Sequence, residues 1–393
     1  MKKRIILIPK DDIVKYPPTI SLINALLDLG LVVECVGRYS DDKRREQFED
    51  RDVRFVDIFN KIKDESRFRI VNWIIILIRM FQYKRKMKHY FETANITGND
   101  LVWFIYSSSI AHLQPYIEKC NYVVQFYEYE NFAIDGKSKL LHPKYDVNRF
   151  LTKAKALIHC EYNRAVITNG LYGLNKEYFI LPNKPYDGQG KQETIVPPDV
   201  ISIISEISTK FEGKKIILYQ GIFDPHERRL DDFCEAVPLL PDEYVFVAMG
   251  NGGSYFETIK RKYSSDRILF LPFIRPPFHL EITKLASFGV LAYYPAAQNY
   301  VDVLNPLYCA PNKIFEFGKF GIPMIANDVP GLKMIFEIYK CGATITYPLT
   351  SEKIANTVLS MNEQYDTMST GAKAYYESVD IKKTVQEILD SVE

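Results

Sequence analysis

Short apolar runs alternate with amphipathic stretches from one end of the chain to the other. Runs at residues 4–8, 32–36, 101–106, 122–126, 156–159 and 178–181 have the length and composition of buried strands. The segment 19–29 lies between the first two with helical spacing of its apolar positions, and Gly30 closes it. A polar, proline-bearing stretch at 183–198 interrupts the pattern. A second series of runs follows at 216–219, 244–249, 268–271, 289–293, 323–326 and 343–346. Strands alternating with helical crossovers predict α/β halves with parallel sheets. Two Rossmann-like domains are expected, 1–185 and 199–373, facing across a cleft.

With 393 residues, the chain exceeds what one ordinary core organises, which agrees with two domains. The formal net charge of +1 lacks the basic excess of a general nucleic-acid binder. Six cysteines are scattered without a C-x-x-C pair, and the N-terminal apolar run stops at Lys10, Asp11 and Asp12. These features fit reduced thiols in a cytoplasm and a first buried strand instead of a signal segment. The six histidines show no paired spacing and no D-x-D follows a strand, so no metal is expected.

The most chemically loaded stretch is NPLYCAPNKIFEFGKFGIPMIANDVPGL, residues 305–332. It reads as a polar loop, an amphipathic helix closed by Gly321, a short strand, and a turn opening the next helix at Pro330 and Gly331. Asn312 and Lys313 sit at the helix entrance, with Glu316 one turn further. Backbone N–H groups at a helix start attract phosphate, a lysine adds charge, and a carboxylate beyond accepts ribose hydroxyls. This combination predicts a nucleoside-diphosphate site at the strand ends of a parallel sheet.

The segment resembles the donor-binding signature of GT-B-fold glycosyltransferases, in particular family 4 of the retaining enzymes. YQGIFDPHERRL, with Gly221, is similar to the family's strand and basic loop, Arg228 taking the diphosphate-holding position. DRILFLPFI resembles the strand whose following loop brackets the nucleobase, here Phe273, Ile274 and Arg275. Glu316 matches the ribose-binding glutamate, and Tyr308 stands eight positions earlier, where the family's other glutamate falls. In the first half, YVVQFYEYEN places Tyr127 and Glu128 at a strand end that the family turns toward the reacting groups. The resemblance also implies a C-terminal helix, within about 374–393, crossing back to the first domain.

What the resemblance implies is transfer of a sugar, with retention, from a nucleotide-diphosphate donor to a saccharide acceptor in bacterial surface polysaccharide or glycan assembly. A UDP-sugar is the favoured donor, with no cofactor. Glu128, Tyr127, Arg228 and Lys313 are the catalytic candidates. Gly221, Ile274, Asn305, Tyr308, Pro311, Asn312 and Glu316 are the donor-binding ones. Glu128 also reads as a carboxylate capping a neighbouring loop, Tyr308 as a packing plug, and Asn305 as a loop-fixing side chain. A sugar-nucleotide 2-epimerase and a non-catalytic partner protein of the same fold are the alternatives. A nicotinamide dehydrogenase is disfavoured, since no strand is followed by G-x-G-x-x-G.

Residues 68–90, FRIVNWIIILIRMFQYKRKMKHY, join an apolar run to Lys84, Arg85, Lys86 and Lys88. The run is too short to span a bilayer. It reads either as an interfacial helix, peripheral at the inner face of an anionic cell membrane and suited to a polyprenyl-linked acceptor, or as a buried crossover helix with a solvated basic end.

Overall fold

The computed structural model describes residues 3–10, 12–13, 16–58, 69–107, 109–130, 139–140, 142–188, 195–296 and 300–393. Two compact units emerge: Met1–Lys191 with Ile381–Glu393, and Gln192–Asp380.

In the first unit the strands are β1 (Arg4–Ile8), β2 (Val32–Gly37), β3 (Val53–Asp57), β4 (Leu101–Ile105), β5 (Tyr122–Phe126), β6 (Leu157–His159) and β7 (Tyr178–Ile180). They form one parallel sheet in the order β3-β2-β1-β4-β5-β6-β7. Helices α1 (Pro17–Asp28), α2 (Asp42–Glu49), α3 (Arg69–Thr93), α4 (Ile110–Ile117), α5 (Val147–Lys153) and α6 (Tyr162–Tyr172) connect them. The central strands β4 and β5 are buried throughout, as expected of a sheet covered on both faces. β3 escapes the sequence pattern because it is a mostly half-exposed edge strand, VRFVD, with no apolar run.

The second unit holds β8 (Lys215–Ile222), β9 (Tyr244–Asn251), β10 (Ile268–Leu271), β11 (Phe288–Leu291), β12 (Met324–Asn327) and β13 (Gly342–Ile345). All pair in parallel in the order β10-β9-β8-β11-β12-β13. Its helices are α7 (Pro198–Lys210), α8 (Asp231–Ala236), α9 (Gly253–Tyr263), α10 (His279–Thr283), α11 (Tyr300–Leu307), α12 (Asn312–Lys319), α13 (Pro330–Tyr339), α14 (Ser351–Glu363) and α15 (Tyr365–Ser378). Alternate strand residues feed two cores. Leu218, Val247 and Met324 join one, while Ile217, Phe246 and Ile325 join the other. Strand order reverses between β8 and β11, the point at which open α/β sheets leave a crevice at their carboxyl ends.

The last helix, α16 (Ile381–Ser391), buries Ile381, Val385, Ile388 and Leu389 along one stripe and packs on α1, returning the chain to the first unit. One local expectation is corrected. Asn305 lies within α11 and not in a loop, because the helix continues across Pro306 and Tyr308 N–H donates to Leu304 O at 3.0 Å.

Candidate functional site

A cavity of about 460 Å³ opens at the carboxyl ends of β8 and β9. Gln220, Gly221 and Ile222 line it from β8, Met249 to Asn251 from β9, and Phe273, Ile274 and Pro276 from the loop after β10. His279 of α10, Ala310 and Pro311 before α12, and Asn312, Lys313 and Glu316 of α12 complete it. The seat of α12 is set by Gly289 on β11, where any Cβ would lie 2.6 Å from the ring of Phe317. Pro311 precedes α12 and no side chain caps it, so the first-turn N–H groups at Asn312 and Lys313 remain donors beside the cavity.

Lys313, at the second position of that helix, makes neither a hydrogen bond nor an ion pair among the described residues. Burial pushes its ammonium below the ordinary lysine range. Glu316 pulls upward and the nearby charge of Arg228 pushes down again. Its aliphatic end lies against Gly221, where a Cβ would meet Lys313 Cε at 2.6 Å and Nζ at 2.9 Å. Arg228 stands in the loop after β8. Its guanidinium lies 4.0 Å from the centre of the Tyr293 ring, and Nη1 donates to Glu227 O at 2.8 Å. Two cations thus share one electrostatic neighbourhood, a mutual repulsion that the charge of Glu316 opposes at Lys313.

Glu316 is held at both oxygens. Gln220 Nε2 donates to Oε2 at 2.6 Å, and His279 Nε2 lies 3.2 Å from Oε1. Burial opposes ionisation of Glu316. The hydrogen bond and charge of His279, the charge of Lys313 and the amide of Gln220 outweigh it and keep the carboxyl below its usual range. Phe273, expected from the sequence beside the nucleobase, lines the cavity, whereas Gln220 and His279 carry no motif that marks them. The available signals were a polar residue ending an apolar strand and a histidine facing the same way as Thr283 on a short helix.

Of the sequence candidates, Gly221, Ile274, Pro311, Asn312, Lys313 and Glu316 line this cavity, and Arg228 is electrostatically coupled to it. Asn305 and Tyr308 do not line it. Gly331, entering α13, packs on the Tyr308–Cys309 backbone. Tyr127 and Glu128 belong to the first unit, just beyond β5. Tyr127 is buried, shares a 2.7 Å hydroxyl contact with Thr19 and stacks on Tyr16. Glu128 is exposed and sits 3.6 Å from Lys10 Nζ, which also pairs with Glu130 at 2.5 Å. Among the described residues, no group of three or more His, Cys, Asp or Glu converges as a metal site, and no helix is long and apolar enough to cross a membrane. All six cysteines are free thiols.

No protein-family model matches the chain, and no curated protein sequence matches it significantly. Solved structures do match it over its whole length. A glycosyltransferase from Rickettsia africae gives a TM-score of 0.65 at 12% identity, covering 100% of this chain and 98% of that one. HepE of Anabaena in complex with UDP gives 0.64 at 13% identity, with 99% of each chain covered. A structure described as UDP-N-acetylglucosamine 2-epimerase from Listeria monocytogenes gives 0.61 at 13%, covering 100% and 96%. The likeness, together with two doubly wound parallel sheets and the returning C-terminal helix, defines the fold class as GT-B. That fold serves several chemistries, so activity is argued from the site.

Proposed function

We propose that the protein is a glycosyltransferase whose second unit binds a nucleoside-diphosphate sugar, with UDP-sugars as the favoured class. The observation that carries this reading is one helix start presenting a partly buried lysine without an ion-pair partner among the described residues, with a clamped carboxylate one turn beyond. On this reading Lys313, Arg228 and the N–H groups at Asn312 receive the diphosphate. Glu316 takes the ribose, and Ile274 and Phe273 flank the base. HepE, of the same fold, was crystallised with UDP and with UDP-glucose.

The reaction breaks the bond between the donor's anomeric carbon and its diphosphate oxygen. The acceptor oxygen bonds to that carbon on the same face, and its proton passes to the leaving diphosphate. Lys313 and Arg228 stabilise the charge of that leaving group, so the proposal needs no divalent metal. The finer reading is a retaining, family 4-type enzyme of the cytoplasm acting in surface polysaccharide or glycan assembly. Glu128, beside Lys10, is its acceptor-side carboxylate. A lipid-linked acceptor fits α3, on which Ile78 and Phe81 are 48% and 71% exposed alongside the exposed Lys84, Arg85 and Lys88.

A second reading, sugar-nucleotide epimerisation, is favoured by the likeness to the Listeria structure. Incubation with a panel of UDP- and GDP-sugars, with and without saccharide acceptors, separates them. Transfer releases nucleoside diphosphate and elongates an acceptor. Inversion at C2 of the sugar without an acceptor would favour the epimerase, and donors bound but left intact would leave only a binding protein.

A further inference from the structure

Thr283 and Gln220 are polar side chains buried to 0% and 3% exposure. Such groups destabilise a core unless their hydrogen bonds are made, and here the bonds form a directed chain. The Thr283 hydroxyl has one proton and two acceptors in range, Gln220 Oε1 at 2.7 Å and His279 O at 3.1 Å. The shorter contact gives that proton to Gln220. With its carbonyl so engaged, Gln220 turns Nε2 to Glu316 Oε2 at 2.6 Å. His279, one helical turn before Thr283 on α10, closes on Oε1 at 3.2 Å. Two elements, β8 and α10, therefore converge on one carboxylate of a third, α12, and leave its remaining lone pairs toward the cavity.

We infer that Thr283, Gln220 and His279 are positioning residues that fix both oxygens of Glu316 for the paired hydroxyls of a ribose, so that the site discriminates ribonucleoside from 2′-deoxyribonucleoside diphosphates. This rests on the donor-site reading above. A carboxylate already desolvated and held at two points cannot swing to recover a missing hydroxyl, so the deoxy ligand leaves a charged acceptor unmet. Thr283 acts only through Gln220. Replaced by valine, it keeps its shape and loses its proton. The Gln220 carbonyl then loses the bond that fixes it, and the amide no longer holds Nε2 rigidly on Glu316.

The test is calorimetric titration of the full chain with UDP, 2′-deoxy-UDP and pyrophosphate, on wild type, Thr283→Val and Thr283→Ser. Wild type should prefer UDP over 2′-deoxy-UDP by on the order of 10- to 100-fold, the range for one hydrogen bond to a charged group. Thr283→Val should bring that ratio toward unity with pyrophosphate affinity unchanged, and Thr283→Ser should restore it. Should Thr283→Val fail to fold, Gln220→Met removes the amide that donates to Glu316 Oε2 and is read by the same ratio. A folded variant that keeps the wild-type ratio overturns the positioning role and leaves the donor site standing. A wild type that binds both nucleotides equally overturns the ribose role of Glu316, and the positioning role with it. Absence of any nucleotide binding overturns the donor site itself.

Discussion

Lys313 is placed against the field of its own helix, whose N-terminal end carries partial positive charge. Burial and Arg228 both work against its ammonium, and only Glu316 and Cys309 favour it. A protein that keeps a cation there gives up stability, and an arriving diphosphate would recover it. His159, in the first unit, is a different kind of misplaced group. Its ring is buried, stacks on Phe126 at 4.5 Å between centroids, and has no hydrogen-bond partner at either nitrogen among the described residues. Burial, aided by the charge of Arg164, lowers its pKa from 6.5 to about 3. The folded chain keeps the ring neutral, whereas the unfolded chain takes up a proton below the ordinary value. Stability contributed by the neutral ring is therefore full above 6.5 and lost as pH falls toward 3. Between pH 6.5 and 5 this one residue should cost about 2 kcal/mol. His159→Phe should flatten that acid limb in urea titrations at pH 7.5 and 5. An unchanged difference between the two pH values would contradict the assignment.

At the scale of elements, α3 carries the proposed membrane contact. Its described part buries Met87 and Tyr90 on one side and exposes Ile78, Phe81, Lys84, Arg85 and Lys88 on the other. Phe68 and the side chain of Trp73, part of the same sequence reading, lie outside the described residues. Replacing Lys84, Arg85 and Lys88 with glutamine should weaken sedimentation with anionic vesicles by about 1 kcal/mol per residue, and high salt should mimic the variant. Wild-type protein that ignores such vesicles at low salt would remove this contact. Elements differ in how legible they were. The central strands announce themselves because burial on both faces demands unbroken apolar runs, and α12 because a proline, an amphipathic repeat and Gly321 frame it. β3 lacks a legible signal because this edge strand carries no apolar run, and the end of α11 reads as a loop because Asn305-Pro306 imitates a turn. Lys313 and Glu316 were legible as neighbours on one helix. Their partners Gln220, His279 and Thr283 come from β8 and α10, and only the closed sheet brings those elements to the same carboxylate.

At the scale of the whole molecule, two parallel sheets with the same reversal of strand order share one chain, and the second carries the built cavity. Fold alone leaves transfer, epimerisation and simple binding open, and under each of them the reading proposed above seats the nucleotide on α12. The central claim is therefore that the Lys313 and Glu316 cavity binds a nucleoside diphosphate through its charge and its ribose. The most direct measurement is calorimetric titration of UDP and uridine, in the presence of a chelator, into wild type, Lys313→Met and Glu316→Ala. The account predicts saturable UDP binding by wild type without metal. Lys313→Met should weaken UDP by about 1.5–3 kcal/mol and leave uridine unaffected, while Glu316→Ala should weaken both ligands. Folded variants that bind UDP as tightly as wild type, or wild type that binds UDP only after magnesium or manganese is added, would contradict it.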